Sequence, residues 1–281
     1  MSVPPVERVR ARLAASAGPA VAELLPHGYQ RLGDLLLVRL PPELRLREEE
    51  IARAYREELK VRGVLVREDI RGEYRSPRAR WLGPAGDPRT LHQEGGLRWR
   101  LDASRVMFSP GNRRERERVA EWVRPGERVG DLFAGIGYFT LPLARSGRTE
   151  ELWAVEKNPE SFRFLEENLE LNGLAHRVRT VLGDNRTAEL PRGHFDRLLL
   201  GYLPSSLPYL PRALELLQPA GGYVHAHFLA GAEEPEARTL ERFAERVELA
   251  EGRLLEARLR TVKSYGPGRR HVVADARVAR R

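Results

Sequence analysis

From residue 126 onward, short apolar runs alternate with helical patterns, and this alternation constrains the fold more than any other feature of the chain. The runs are ERVGDLF, ELWAVE, VRTVLGD and DRLLLGYL, followed by GGYVHAHFL over 221–229. Between them lie a Gly-rich turn entering a helix, a helical pattern over 159–171 and another over 208–218. Strands separated by helices return in the same direction, so βαβ units and a parallel sheet are expected. LLLGYL and LWAV are nearly continuous in apolar residues, as strands covered on both faces must be. At the end, LEARLRTVKSY (255–265) and RHVVADARV (270–278) flank a GPGR turn and read as an antiparallel hairpin that closes the sheet. The expected class is α/β, doubly wound and mostly parallel.

The first hundred residues follow another pattern. DLLLVRL (34–40) and VRGVLV (61–66) read as strands, and the run between them places Ile51, Tyr55 and Leu59 every four residues, a helical spacing. Pro and Gly cluster over 76–96, which predicts a long loop, and GLRWRLD (96–102) predicts one more strand. RRERERVAEWV (113–123) predicts an amphipathic helix with Val119, Trp122 and Val123 inward. A smaller N-terminal α+β domain over 1–105 and a second domain over 106–281 are therefore expected.

Composition narrows the chemistry. The chain has 281 residues and no cysteine, which removes disulfides, thiolate nucleophiles and Cys-ligated zinc. No apolar stretch approaches the length of a membrane-spanning helix, and the first residues carry no long apolar segment, so a cytoplasmic protein is expected. The 48 Lys+Arg against 40 Asp+Glu leave a net charge of +8, which favours polyanionic partners. Only Lys60, Lys157 and Lys263 are lysines, so nearly all of the positive charge is guanidinium. Guanidinium suits bidentate phosphate contacts, and equally suits ion-pair networks within the protein.

Three strand ends carry the chemistry. Asp131-Leu-Phe-Ala-Gly135-Ile-Gly137-Tyr-Phe-Thr140 is a strand end followed by two glycines at a helix start, where backbone can approach a ligand. The third glycine of a dinucleotide fingerprint is missing, so an NAD site is disfavoured. Some twenty residues on, the next strand ends at Glu156, where a carboxylate accepts from ribose hydroxyls. The third ends in Gly183-Asp184-Asn185, where Asp accepts from an exocyclic amine and backbone N–H donates to the ring. Ligands of open α/β sheets lie outside the carboxyl ends of the strands, so one adenosine-bearing molecule would sit among the three. Asp131, Phe133, Tyr138 and Phe139 are candidates to face a cationic ligand, although such aromatics also serve as core.

DLFAGIGYFTLP, VEKNPESFRFLEENLELNG and GDNR together resemble the class I S-adenosylmethionine-dependent transferases, whose sheet is Rossmann-like. Within them, Val106-Met-Phe-Ser109-Pro-Gly-Asn112 and Leu200-Gly-Tyr-Leu-Pro204-Ser-Ser206 are similar to segments of the tRNA-modifying Trm-five/wybutosine-synthesis group. The resemblance covers roughly residues 22–278. It implies S-adenosylmethionine as cofactor, held by Asp131, Phe133, Gly135, Gly137, Tyr138, Phe139, Glu156, Lys157, Asp184, Asn185 and Gly201. It implies Ser109, Asn112, Tyr202, Pro204 and Ser205 on the reaction side. In one branch of that group an aminocarboxypropyl group, rather than methyl, passes to the tricyclic base derived from guanosine 37 of tRNA-Phe. The methyl-transferring relatives carry an Arg after the Ser-Pro pair and an Asn-Leu/Pro-Pro motif after the fourth strand, where this chain has Gly111 and Tyr202-Leu203-Pro204. The departure favours aminocarboxypropyl transfer. Methylation of a tRNA or rRNA base stays as the alternative, and an RNA-binding module with a vestigial cofactor site is the alternative of another class.

Arg71, Arg75, Arg78 and Arg80, with Tyr74 and Trp81 close by and only Glu73 among them, form the best basic-aromatic patch and are the candidate RNA contacts. His225 and His227 alternate on one strand and face the same side; without a carboxylate at ligand spacing they make a poor metal site, so no metal is expected. Ser109 before Pro110 also suits a helix entry. The partner expected is tRNA, with no membrane, and the chain acting as a monomer.

Overall fold

The computed structural model describes residues 4–74, 76–84 and 87–281. The chain divides into two compact units, Met1–Pro110 and Gly111–Arg281, five residues beyond the boundary expected from sequence. No helix among the described residues is long and apolar enough to cross a membrane.

The first unit begins with α1 (Pro5–Ala17) and α2 (Pro19–Glu23), which the sequence reading left unassigned. There follow β1 (Gln30–Leu32), β2 (Leu35–Val38), α3 (Glu48–Leu59), β3 (Gly63–Arg71), β4 (Ser76–Leu82), β5 (Arg89–Glu94) and β6 (Leu97–Asp102). The first four strands form one sheet in the order β1-β2-β3-β4, with β2 and β3 parallel across the α3 crossover, and β5–β6 is a separate hairpin. Val9 and Leu13 of α1 and Ile51 and Tyr55 of α3 are fully buried with Leu36, Val64 and Val66 of the sheet. The long loop expected over 76–96 is corrected: β4 and β5 occupy most of it. Pro77 reads as a breaker, yet β4 is the edge strand, where a residue without an N–H breaks no ladder.

The second unit contains α4 (Arg113–Trp122), β7 (Glu127–Asp131), α5 (Thr140–Ser146), β8 (Thr149–Glu156), α6 (Pro159–Leu171), β9 (Arg179–Leu182), β10 (Arg197–Leu200), α7 (Leu210–Leu216), β11 (Gly222–Gly231), α8 (Glu236–Leu249), β12 (Gly252–Ser264) and β13 (Arg269–Arg280). Its sheet runs β12-β13-β11-β10-β7-β8-β9. The strands β7 to β11 are parallel, and β13 enters antiparallel between β11 and β12. The strand order reverses between β7 and β10, which opens a crevice at their carboxyl ends. Leu198, Leu200, Val224, Ala226 and Phe228 are buried in the core between sheet and helices, which explains the continuous apolar runs. The helix α8 was missed because Glu and Arg dominate it, although Thr239, Phe243 and Val247 recur every four residues on its buried face.

Candidate functional site

The glycine turn connects β7 to α5. Gly135 (φ +58°) and Gly137 (φ +101°) both lie in the left-handed region, and a Cβ on Gly137 would overlap the Leu141 side chain. Glycine is therefore required at both points. Asp131, fully buried beneath the turn, accepts from Thr140 Oγ1 (2.8 Å) and from the Phe133 N–H (3.3 Å). Burial pushes its carboxyl up to about 7. These hydrogen bonds brace the turn above it.

Glu156 ends β8, and both its oxygens are used. One accepts from the Gly135 N–H and the other from the Asn158 N–H, each at 2.7 Å. Burial raises its carboxyl above the ordinary range, although these amide bonds favour the charged form. The Lys157 N–H donates to the carboxylate as well, and the acceptor site that remains can take a hydroxyl donor. Asn158 in turn caps α6, accepting from the Glu160 N–H at 3.0 Å.

The Gly183-Asp184-Asn185 tip after β9 is joined to the other two. Gly183 N–H donates to Glu156 O (2.9 Å), and Asn185 Nδ2 donates to Leu132 O (2.9 Å). The three tips thus share one hydrogen-bonded frame. Asp184 lies in a cationic vice: Arg186 Nη2 at 2.7 Å, the Arg186 N–H at 3.0 Å and Lys157 Nζ at 3.0 Å. The Arg186 side chain, followed by its N–H and by Lys157, holds the carboxyl well below the usual range. Asn185 is nine-tenths buried, and its Oδ1 has no hydrogen-bond partner. A buried acceptor of that kind awaits a donor, and an exocyclic amine is one.

The fourth tip, after β10, adds an aromatic wall. Tyr202 stacks on Phe133 (5.2 Å between centroids), and Tyr209, which the sequence reading did not single out, meets Phe133 edge-on at 4.8 Å. A Cβ on Gly201 would lie 2.9 Å from the Phe139 ring, so this turn packs directly over it. Phe139 itself is buried against His227 (5.4 Å), and the Tyr138 ring covers Gly135. Carboxylate acceptors, a bare glycine turn, an orphaned amide oxygen and π-faces together fit a nucleoside that carries a cation.

The candidates for the reaction side separate. Asn112 stands at the N-cap position of α4 but makes no side-chain cap hydrogen bond, and its Oδ1 is buried without a partner. Ser109 is half-buried at the end of the first unit. Ser205 Oγ accepts from the Leu207 N–H (3.3 Å), and the exposed Pro204 contributes its carbonyl to the Leu229 N–H (3.0 Å). Ser206 is fully buried and donates to His227 O (2.9 Å).

His225 and His227 are buried, and burial lowers the pKa of both. His225 does have a carboxylate: Asp275, directly across the ladder on β13, lies 2.8 Å from Nδ1. Arg197 donates to Nε2 (2.7 Å), and Trp122 stacks on the ring at 4.4 Å. His227 Nδ1 lies 2.9 Å from His271 Nε2. No group of three potential metal ligands exists among the described residues.

In the first unit, Arg80 pairs with both Glu48 and Glu68, and Arg78 lies 3.8 Å from Glu68. Arg75 lies outside the described residues, and Arg71 ends β3. The carboxylates facing this patch come from α3 and β3, so their proximity was not visible in the local sequence.

Comparison with known proteins places these features in a family. Residues 90–255 match the TRM5/TYW2 methyltransferase domain, and residues 9–87 match the TYW2 N-terminal domain. The chain is 37% identical over 276 residues to a tRNA(Phe) (4-demethylwyosine(37)-C(7)) aminocarboxypropyltransferase of Pyrococcus horikoshii, covering 96% of each. It is 31% identical over 257 residues to the tRNA (guanine(37)-N(1))-methyltransferase Trm5b of Pyrococcus abyssi, covering 91% of this chain and 76% of that protein. The solved structure of P. horikoshii TYW2 in complex with MeSAdo superposes with a TM-score of 0.84 at 34% identity, covering 98% of this chain and all of that one. With a matching domain model over more than half its length and a full-length relative above 30% identity, the chain belongs to the TRM5/TYW2 family.

Proposed function

We propose that this protein moves the 3-amino-3-carboxypropyl group of S-adenosylmethionine onto the tricyclic base at position 37 of tRNA-Phe. The observation that carries this reading is the end-to-end match with the Pyrococcus aminocarboxypropyltransferase, which extends through the N-terminal domain. Gly111 and Tyr202-Leu203-Pro204, in place of the methyltransferases' Arg and Asn, support it.

The bound sulfonium supplies three electrophilic carbons, of which the one aligned with the nucleophile reacts. The chain's contribution is placement. Glu156 accepts from the ribose on its remaining lone pair while it keeps the glycine turn in shape. Asn185 Oδ1 and the backbone after β9 meet the edge of the base, and Lys157 and Arg186 keep Asp184 ionised beside it. Asp131 braces the turn from beneath. Phe133, Tyr202 and Tyr209 exclude water from the reacting side. Asn112 Oδ1 accepts from the incoming base or from the transferred amine. In the first unit, Arg71, Arg75 and Arg78 serve as RNA contacts, whereas Arg80 is committed to Glu48 and Glu68.

The test uses two batches of S-adenosylmethionine, one labelled in the methyl carbon and one in the carboxyl carbon, with tRNA-Phe bearing 4-demethylwyosine. Label from the carboxyl batch alone should enter the tRNA. Entry of methyl label would establish methyl transfer instead.

A further inference from the structure

The two histidines of β11 share a face of the sheet, and the fold uses them differently. Both ring nitrogens of His225 are engaged within the protein: Nδ1 lies 2.8 Å from Asp275, and Nε2 accepts from Arg197 at 2.7 Å. His227 commits only Nδ1, to His271 Nε2 at 2.9 Å, and its Nε2 has no hydrogen-bond partner among the described residues. Only 3% of His227 is exposed, yet the sealed side-chain atoms that lack a partner do not include Nε2, so this nitrogen keeps an opening to solvent.

Strand register puts that opening at the crevice. Leu199 of β10 pairs with Asp131 on one side and His225 on the other, so His227 stands two residues above the end of β7, roughly 7 Å at about 3.3 Å per residue. The last residue of β10, Leu200, pairs with Ala226, which makes His227 the first residue of β11 past that end. The two nitrogens of an imidazole point in nearly opposite directions. With Nδ1 turned to His271 on β13, Nε2 faces the side of β10 and β7. Phe139, at the entry to α5, packs on the ring from that side at 5.4 Å. The fourth tip is tied to the same residue, because the Ser206 N–H and Oγ both donate to His227 O at 2.9 Å. The loop that carries Tyr202, Pro204 and Ser205 is thereby held against the histidine.

The proposed transfer requires a proton acceptor. A ring carbon still carries its hydrogen when its new bond to the aminocarboxypropyl carbon has formed and the C–S bond has broken. Methylthioadenosine leaves neutral with the electron pair of the broken bond, and the ring takes over the positive charge until the C–H proton departs. The candidate carboxylates are committed: Asp131 to the turn, Glu156 to backbone amides, Asp184 to Arg186 and Lys157, Glu115 to Arg118 and Arg260, and Asp275 to His225 and Arg118. Burial, with His271, His225 and Arg118 as the ionisable neighbours, keeps His227 neutral and so able to accept.

We infer that His227 Nε2 takes the proton released by the acceptor carbon, a role that rests on the proposed aminocarboxypropyl transfer. His271 is the positioning residue: by accepting the Nδ1 proton of His227 it leaves Nε2 as the basic nitrogen, and it shares the charge once Nε2 is protonated. The proton passes to solvent after the product has left.

The experiment follows a single turnover with enzyme and S-adenosylmethionine in excess over tRNA-Phe bearing 4-demethylwyosine, the acceptor carbon carrying either hydrogen or deuterium. Wild type should transfer the carboxyl-labelled group to both at the same rate, because formation of the carbon–carbon bond limits it. In His227→Asn the rate should fall by about 10²- to 10⁴-fold, and the deuterated tRNA should lag behind the ordinary one, since proton loss has become limiting. Melting and S-adenosylmethionine titration of the same sample check the fold, and His227→Gln carries the same expectations should His227→Asn fail to fold. A purely structural histidine would slow transfer without separating the two isotopes. That outcome, or a folded variant as fast as wild type, would overturn the inference and leave the proposed function standing. A wild-type protein that moves no carboxyl label would remove both.

Discussion

Glu156→Gln is the substitution whose outcome follows most directly from the geometry. Both carboxylate oxygens accept a backbone N–H, from Gly135 and from Asn158, at 2.7 Å. Glutamine offers one oxygen and one NH2, so in either orientation a donor faces a donor. The loss comprises one charge-assisted hydrogen bond, about 1.5–3 kcal/mol, and an unsatisfied N–H, about 1–3 kcal/mol, offset by removal of a buried charge. A net destabilisation of about 2–4 kcal/mol is expected. For a unit of this size that corresponds to a fall of about 5–15 °C in the melting temperature. S-adenosylmethionine affinity should drop about 10- to 100-fold, since the ribose hydroxyls lose a charged acceptor. Calorimetric melting and titration of the same sample read both effects. Glu156→Gln melting within a degree of wild type and binding the cofactor normally would refute the claim that this carboxylate both braces the turn and receives the ribose.

Three further outcomes follow. Asp131 has its pKa raised from 3.8 to about 7, so between those values the folded state holds a proton that the unfolded chain has lost. Stability should therefore carry a component that falls as pH rises through that window, by about 4 kcal/mol in total, and this component should be absent from Asp131→Asn in melting measured from pH 5 to 8. Gly137→Ala forces a side chain into φ +101° against Leu141, and should cost about 1–3 kcal/mol together with most of the cofactor affinity, measured by melting and titration. Arg197→Ala leaves Glu127 as a buried carboxylate without its partner and should cost about 3–5 kcal/mol by denaturant titration, without changing the identity of the transferred group.

The second unit was legible because its strands are buried on both faces and its motifs sit at strand ends, where spacing alone fixes their proximity. The first unit was less so: β4 carries Pro77, an edge-strand residue indistinguishable from a loop breaker until its neighbours are known. Asp275 reaches His225 from fifty residues away through an antiparallel register that no local pattern encodes. Asp184 was legible as a carboxylate at the site, but its pairing with Lys157 depends on how far β8 and β9 are brought together. Asn185 was readable as a motif residue, while its role as the buried, unpartnered acceptor emerged only from the fold.

The decisive observation is a crystal structure of the protein soaked with methylthioadenosine, the expected by-product. Its ribose should lie within hydrogen-bonding distance of Glu156, with the base against Asn185 and the sulfur facing Phe133 and Tyr202. Density for the nucleoside elsewhere, with those side chains bonded only to protein, would contradict the account.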